Sequence, residues 1–362
     1  MFKRALSVLI VLVFILGLSI PAETCKTASY TQIASRNIQE PTAEINIVEN
    51  ADTNPIAHIE SLPNDMYYSI YQANIFGDMN ILSGLSIAEG SDKVVVAVVD
   101  TGVDANHPDL AGKVLTTGYN FVSGNTDISD DNGHGTMISG IIAANSNNGV
   151  GIAGATLKCV ILPVKVIDAN GTGTSNHIAA GIKYAADNGA NIINLSFGGA
   201  GTMQIVQDAV SYAYSKGCIV IAAAGNEGRS VNWPANCANV VAVGAVKTSN
   251  EIASYSNYGS QIALVAVGSD VISTFFSNGT HVYGKSSGTS YAAAYVSSLA
   301  ALIESKSSKY TPDQVVSIME QTATHLGTSG RNQYYGYGCI NFQAALQLEQ
   351  ADIAAVAKQN LP

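Results

Sequence analysis

Three short stretches of this chain hold the side chains that acyl-transfer chemistry uses. Val98-Val99-Asp100-Thr101-Gly102 ends an apolar run on a carboxylate, where open α/β sheets place ligands. Asn132-Gly133-His134-Gly135-Thr136 sets an imidazole between two glycines, ahead of apolar residues 137–144. Ser287-Gly288-Thr289-Ser290 puts a hydroxyl at the mouth of a long Ala/Leu/Val stretch. Each has a plainer use, as a turn cap, a structural histidine or a helix N-cap. Together they can form a nucleophile, the base that activates it and the carboxylate that orients the base. Their chain order, Asp, His, Ser, is one of three known for that arrangement. Tyr291 and Ala292 follow Ser290, so this is not the G-x-S-x-G elbow of another hydrolase class.

Positioning such groups takes a rigid frame, and the sequence predicts one. Apolar runs at 93–99, 157–166, 192–195, 218–223, 240–246 and 262–267 are rich in Val, Ile and Ala. Near-continuous apolarity of that kind marks strands buried on both faces of a parallel sheet. Between them lie amphipathic stretches at 178–188 and 203–216, and a stretch at 290–306 apolar enough to be a buried helix. Strand and helix alternate, which predicts βαβ units in a doubly wound α/β fold.

Composition narrows the function. The 362 residues are 47% hydrophobic, enough to bury a full core, which excludes a disordered chain. Only 12% are charged, about half the usual share of roughly 25%, which argues against coiled coils. Acids outnumber bases by 27 to 17, and no basic cluster follows Lys3-Arg4, so nucleic acid is not an expected partner. Residues 1–22 read as a secretory signal. Lys3-Arg4 precede an apolar run from Leu6 to Leu18, and Ala22 offers a cleavage site. That run is shorter than the roughly 20 residues of a membrane span, so no span is expected in the mature chain. Residues 23–66 read as a short pro-segment or linker, 67–348 as the folded domain and 349–362 as a tail. The five cysteines form no CxxC pair, which leaves zinc without support. Cys159 and Cys218, inside strand-like runs, read as buried inert thiols.

From residue 67 to 348 the chain resembles the subtilisin family of serine proteases. The motifs that carry the resemblance occur in order. They are Val99-Asp100-Thr101-Gly102-Val103, His107-Pro108-Asp109-Leu110, Gly133-His134-Gly135-Thr136, Asn194-Leu195-Ser196-Phe197-Gly198-Gly199, Ala222-Ala223-Ala224-Gly225-Asn226-Glu227-Gly228 and Ser287-Gly288-Thr289-Ser290. The resemblance implies a three-layer sandwich around a seven-stranded, mostly parallel sheet. It implies an exported endopeptidase, secreted or held at the cell surface, that acts on peptides or proteins and needs no cofactor for catalysis. Asp100, His134 and Ser290 would be the triad, and Asn226 the oxyanion donor. Ser196, Phe197, Gly198 and Gly199 would wall the main specificity pocket against Ala224 and Gly225. Asn232 would be its neutral floor, suited to large apolar residues. Gly171, Thr172 and Gly173 would form the other edge that pairs with an extended peptide. Asp109 and Asn147 would be ligands of a structural calcium ion.

The chain departs from the family pattern in places. Tyr291 and Ala294 stand where Met and Pro are usual, and neither removes a catalytic group. Residues 23–66 lack the strand–helix pattern of a folded inhibitory pro-domain, as in proteases dedicated to trimming peptide leaders. Two other expectations therefore stand beside a general endopeptidase: a leader-processing protease, and a catalytically inactive peptide-binding scaffold.

Overall fold

A computed structural model describes residues 62–277, 279–307 and 310–348. The signal-like residues 1–22, most of 23–66 and the tail 349–362 lie outside the described residues.

The apolar runs form strands almost where the sequence places them: β1 (Val95–Asp100), β3 (Val160–Lys165), β4 (Ile192–Leu195), β5 (Ile219–Ala223), β6 (Val240–Val246) and β7 (Ile262–Val267). A two-residue strand, β2 (Tyr119–Asn120), completes one edge. The seven strands lie in the order β2-β3-β1-β4-β5-β6-β7, and every pairing is parallel. Sequence predicts no β2, because two residues carry no periodicity. It also predicts no hairpin of β8 (Val271–Ser277) and β9 (Thr280–Ser286), which pairs antiparallel outside the main sheet.

Two short helices, α1 (Ala73–Asp78) and α2 (Ile81–Leu85), precede β1. Helix α3 spans His134–Ala143, α4 Ser175–Asp187, α5 Gln204–Ser215, α6 Thr289–Lys306, α7 Pro312–Thr322 and α8 Phe342–Gln347. Helices α4 and α5 pack together on one face, against β1, β3 and β5. On the other face α6 crosses β4 to β7 and packs against α3, giving three layers. Helix α6 is buried without interruption from Thr289 to Ile303. A helix apolar on all sides can sit only in such an interior, and its N-terminus is thereby fixed at the sheet's carboxyl edge.

Candidate active site

Register brings the functional segments to one line. Asp100 ends β1 opposite Lys165 of β3. Val99 lies opposite Leu195 of β4, and Leu195 opposite Ala222 of β5. The chain therefore leaves three neighbouring strands at the same level, with Asp100, Ser196 and Ala223 beside one another.

Asp100 is fully buried. Its Oδ1 accepts from the Thr101 amide at 2.8 Å and faces His134 Nδ1 at 2.8 Å. Its Oδ2 is buried without a hydrogen-bond partner among the described residues. A carboxylate so poorly solvated has most to gain from a positive imidazole beside it. Burial by itself depresses the His134 pKa, but the Asp100 charge and hydrogen bond, with the charge of Asp130, outweigh it and raise the value.

His134 opens α3, and Asp130 holds that helix start. Asp130 Oδ1 accepts from the Gly133 amide at 2.8 Å, and Oδ2 from the Thr136 amide at 2.9 Å. Asp130 also accepts from the Thr101 hydroxyl at 2.8 Å, and that hydroxyl in turn accepts from the Gly135 amide at 2.9 Å. The loop after β1 and the start of α3 are thus one hydrogen-bonded unit. The sequence alone does not single out Asp130, because Thr101, the partner that ties it to the loop after β1, is 29 residues away.

Ser290 lies in the first turn of α6. Its hydroxyl donates to the Ser196 carbonyl at 2.8 Å. Asn226 is anchored to the same turn, because its Oδ1 accepts from the Thr289 amide at 2.8 Å and the Thr289 hydroxyl at 2.9 Å. That orientation turns the Nδ2 donors toward Gly288, whose Cβ, if present, would lie 3.3 Å away. Asn226 Nδ2, the Ser290 amide and the Ser290 hydroxyl are thus gathered at one helix start. That arrangement suits a developing oxyanion. Tyr291 is buried with its ring 6.0 Å from that of His134, and its hydroxyl meets Met137 Sδ at 3.7 Å and the Ser286 side chain.

The residues expected to wall the specificity pocket lie on two segments joined at one end. Gly199 and Trp233 exchange backbone hydrogen bonds at 3.0 Å each, and the Asn232 amide donates to the Ala224 carbonyl at 2.9 Å. Asn232-Trp233 therefore spans from the Ser196–Gly199 segment to the Ala224–Gly225 segment. The Gly171–Gly173 segment is a largely exposed loop beyond β3 that begins in a tight turn, with Gly171 at φ +77° and Asp168 accepting from the Thr172 amide.

One acid lies against the expected floor residue Asn232. The carboxylate of Glu227 accepts from Asn232 Nδ2 at 3.1 Å and Asn257 Nδ2 at 2.8 Å. A Cβ on Gly225, which has φ +110°, would lie 2.9 Å from Glu227 Oε2. Glu227 is itself exposed, and its Oε2 also lies 3.8 Å from Arg229 Nε.

The candidate metal residues are arranged differently from expectation. Asp109 is fully buried, and Asn148, not Asn147, reaches it, through Nδ2 at 2.8 Å. Asp109 also accepts from the Ile152 amide and the Tyr283 hydroxyl, both at 3.0 Å. Burial raises its pKa. Asn147 has φ +61°, and its side chain turns away to accept from the Asn64 amide at 3.3 Å. Asp65, also buried, accepts from the amides of Asn147 at 2.9 Å and Asn148 at 3.4 Å. Cys159, Cys218, Cys237 and Cys339 are free thiols, and burial pushes Cys218 up to about 11.

The model of the Subtilase family, Peptidase S8, matches residues 91–338. The chain belongs to the subtilase family. It is 44% identical to the thermophilic serine proteinase of Bacillus sp. (strain AK1), over 82% of this chain and 72% of that one. It is 42% identical to thermitase of Thermoactinomyces vulgaris, over 79% of this chain and 99% of that one. The crystal structure of a lanthipeptide protease superposes with a TM-score of 0.71 at 28% identity, covering 80% of this chain and all of that one. This subtilase is a subtilisin-like serine endopeptidase. Among the described residues, no helix is long and apolar enough to cross a membrane.

Proposed function

We propose that this subtilase cleaves peptide bonds through an acyl-enzyme on Ser290. The observation that carries the reading is the 2.8 Å contact of Asp100 with His134, together with a serine and an amide side chain held on one helix turn. Asp100 holds the imidazole in one tautomer and stabilises it once protonated. His134 takes the Ser290 proton as the hydroxyl attacks the carbonyl carbon, then gives it to the leaving amine. Asn226 Nδ2 and the Ser290 amide donate to the oxyanion. In subtilisin itself, loss of that side-chain donor costs about 10²–10³ in turnover. The test is a fluorophosphonate label mapped by mass spectrometry. Adduct on Ser290 supports the reading, and an unlabelled Ser290 in active enzyme refutes it along with an inactive scaffold's rival claim to explain the fold.

The pocket between Ser196–Gly199 and Ala224–Gly225 receives the residue before the cut. Glycines on both walls leave room for a large apolar side chain, which gains about 1.5–3 kcal/mol on burial. Glu227 extends the reading. A lysine or arginine reaching the floor would meet its carboxylate, so basic residues are accepted beside Leu, Met, Phe and Tyr. The Gly171–Gly173 edge and the Ser196–Gly199 edge hold the peptide extended between them.

The reading includes a structural calcium ion. Asp65 and Asp109 are buried carboxylates whose partners are neutral amides and a hydroxyl, and Asn148 lies between them. Two buried negative charges with neutral partners favour a cation, and oxygen ligands suit Ca²⁺. Asp65, Asp109 and Asn148 would hold it, and its contribution is to stability. Export through residues 1–22, with 23–66 as a short pro-segment before the peptidase domain, completes the reading. The likeness to a lanthipeptide protease supports a second one, in which the substrate is a peptide leader.

A further inference from the structure

Strand β4 carries one polar side chain, Asn194, which is fully buried at the centre of the sheet. Burying an amide is costly unless its hydrogen bonds are made. Asn194 makes them in a single chain of side chains. Ser297 Oγ donates to Asn194 Oδ1 at 3.0 Å. Asn194 Nδ2 donates to Ser196 Oγ at 2.8 Å. Ser196 Oγ donates to the Ser290 carbonyl at 3.0 Å.

The direction of every link is forced from one end. The Ser290 carbonyl can only accept, so Ser196 must spend its one proton there. Ser196 must then accept from Asn194, which turns Nδ2 toward it and Oδ1 toward Ser297. Ser297 must donate. Ser196 also receives the Ser290 hydroxyl on its own carbonyl at 2.8 Å. The first turn of α6 is therefore clamped to the end of β4 by two reciprocal bonds, and the chain reaching Ser297, two turns further along α6, holds one of them in register.

We infer that Asn194 and Ser297, neither of which touches the substrate cleft, are positioning residues that set the attack geometry of Ser290. The inference rests on Ser290 being the nucleophile. Without the chain, the Ser196 hydroxyl is free to rotate, and the Ser290 backbone loses the donor that fixes its first turn. Reaction rate depends steeply on such placement, whereas ground-state binding along the pocket walls does not.

The test measures the second-order rate of fluorophosphonate labelling, with kcat and KM on one peptide, for wild type, Ser297→Ala, Asn194→Leu and the double variant. Melting temperatures are recorded alongside, and Ser297→Ala, a small buried change, guards against misfolding in Asn194→Leu. Each single variant should label about 3–10-fold more slowly, with kcat reduced and KM within twofold. The double variant should be no slower than the worse single, because both break one chain. Unchanged labelling of Ser290 in folded Ser297→Ala overturns the inference alone, as do single effects that multiply in the double variant. Active wild type that takes no label on Ser290 overturns the nucleophile assignment, and the inference with it.

Discussion

A Cβ on Gly135 would lie 2.1 Å from the carbonyl oxygen of Gly102. The residue after His134 is thus in backbone contact with the loop that follows Asp100, and this approach sets the 2.8 Å Asp100–His134 separation. Gly135→Ala must push the two segments apart. A misplacement of about 1 Å can cost roughly 10² in rate. The expected result is a kcat/KM lower by at least that factor in a variant whose circular dichroism remains native. Activity within threefold of wild type would show that the contact is slack.

The charge of Asp100 makes activity and stability respond to pH in opposite directions. His134 must be neutral to act as base, and its pKa lies above the ordinary 6.5. The acid limb of kcat/KM should therefore sit above pH 6.5. A group with a raised folded-state pKa contributes stability fully below its unfolded value and loses that contribution as pH rises through the folded one. Nuclear magnetic resonance titration of His134 in Ser290→Ala should give a value above 6.5, and Asp100→Asn should lower it. An equal or higher value in Asp100→Asn would contradict the electrostatic account.

Glu227 should govern how the proposed pocket treats cations. Peptides varied only at the residue before the cut should show good turnover for Leu, Met, Phe and Tyr. Lys and Arg should also be cleaved. Glu227→Gln keeps the shape and removes the charge, and should lower kcat/KM for Lys about tenfold while leaving Leu within twofold. A uniform loss across the series would place Glu227 in the structure of the pocket and not in its selectivity.

The frame of this site was legible in the sequence for a simple reason. Strands buried on both faces have one pattern, and β1, β3, β4, β5, β6 and β7 show it. The hairpin β8–β9 is half exposed along β9 and carries no such pattern. The proposed triad was legible because glycines and an apolar helix surround its residues. Glu227, Asp130 and Ser297 were not, since each acts through partners that only the fold brings near. Asn147 and Asn148 are adjacent and identical in type, and the left-handed backbone at Asn147 decides which of them faces Asp109. Asp65 was hidden in a stretch that reads as linker, because one buried acid among polar residues has no periodic signature.

Calcium should stabilise the fold by mass action. Millimolar Ca²⁺ should raise the melting temperature by several degrees over an EDTA-treated sample, and Asp109→Asn should abolish the difference. Identical melting curves with and without the ion would remove it from the account.

The most direct measurement is the turnover of Ser290→Ala. Without its nucleophile a triad enzyme keeps only what binding and the oxyanion site supply, about 10³–10⁴ over water. Peptidase activity should fall to background while the melting temperature stays near that of wild type. A folded Ser290→Ala that retains more than a tenth of wild-type turnover would contradict the central claim.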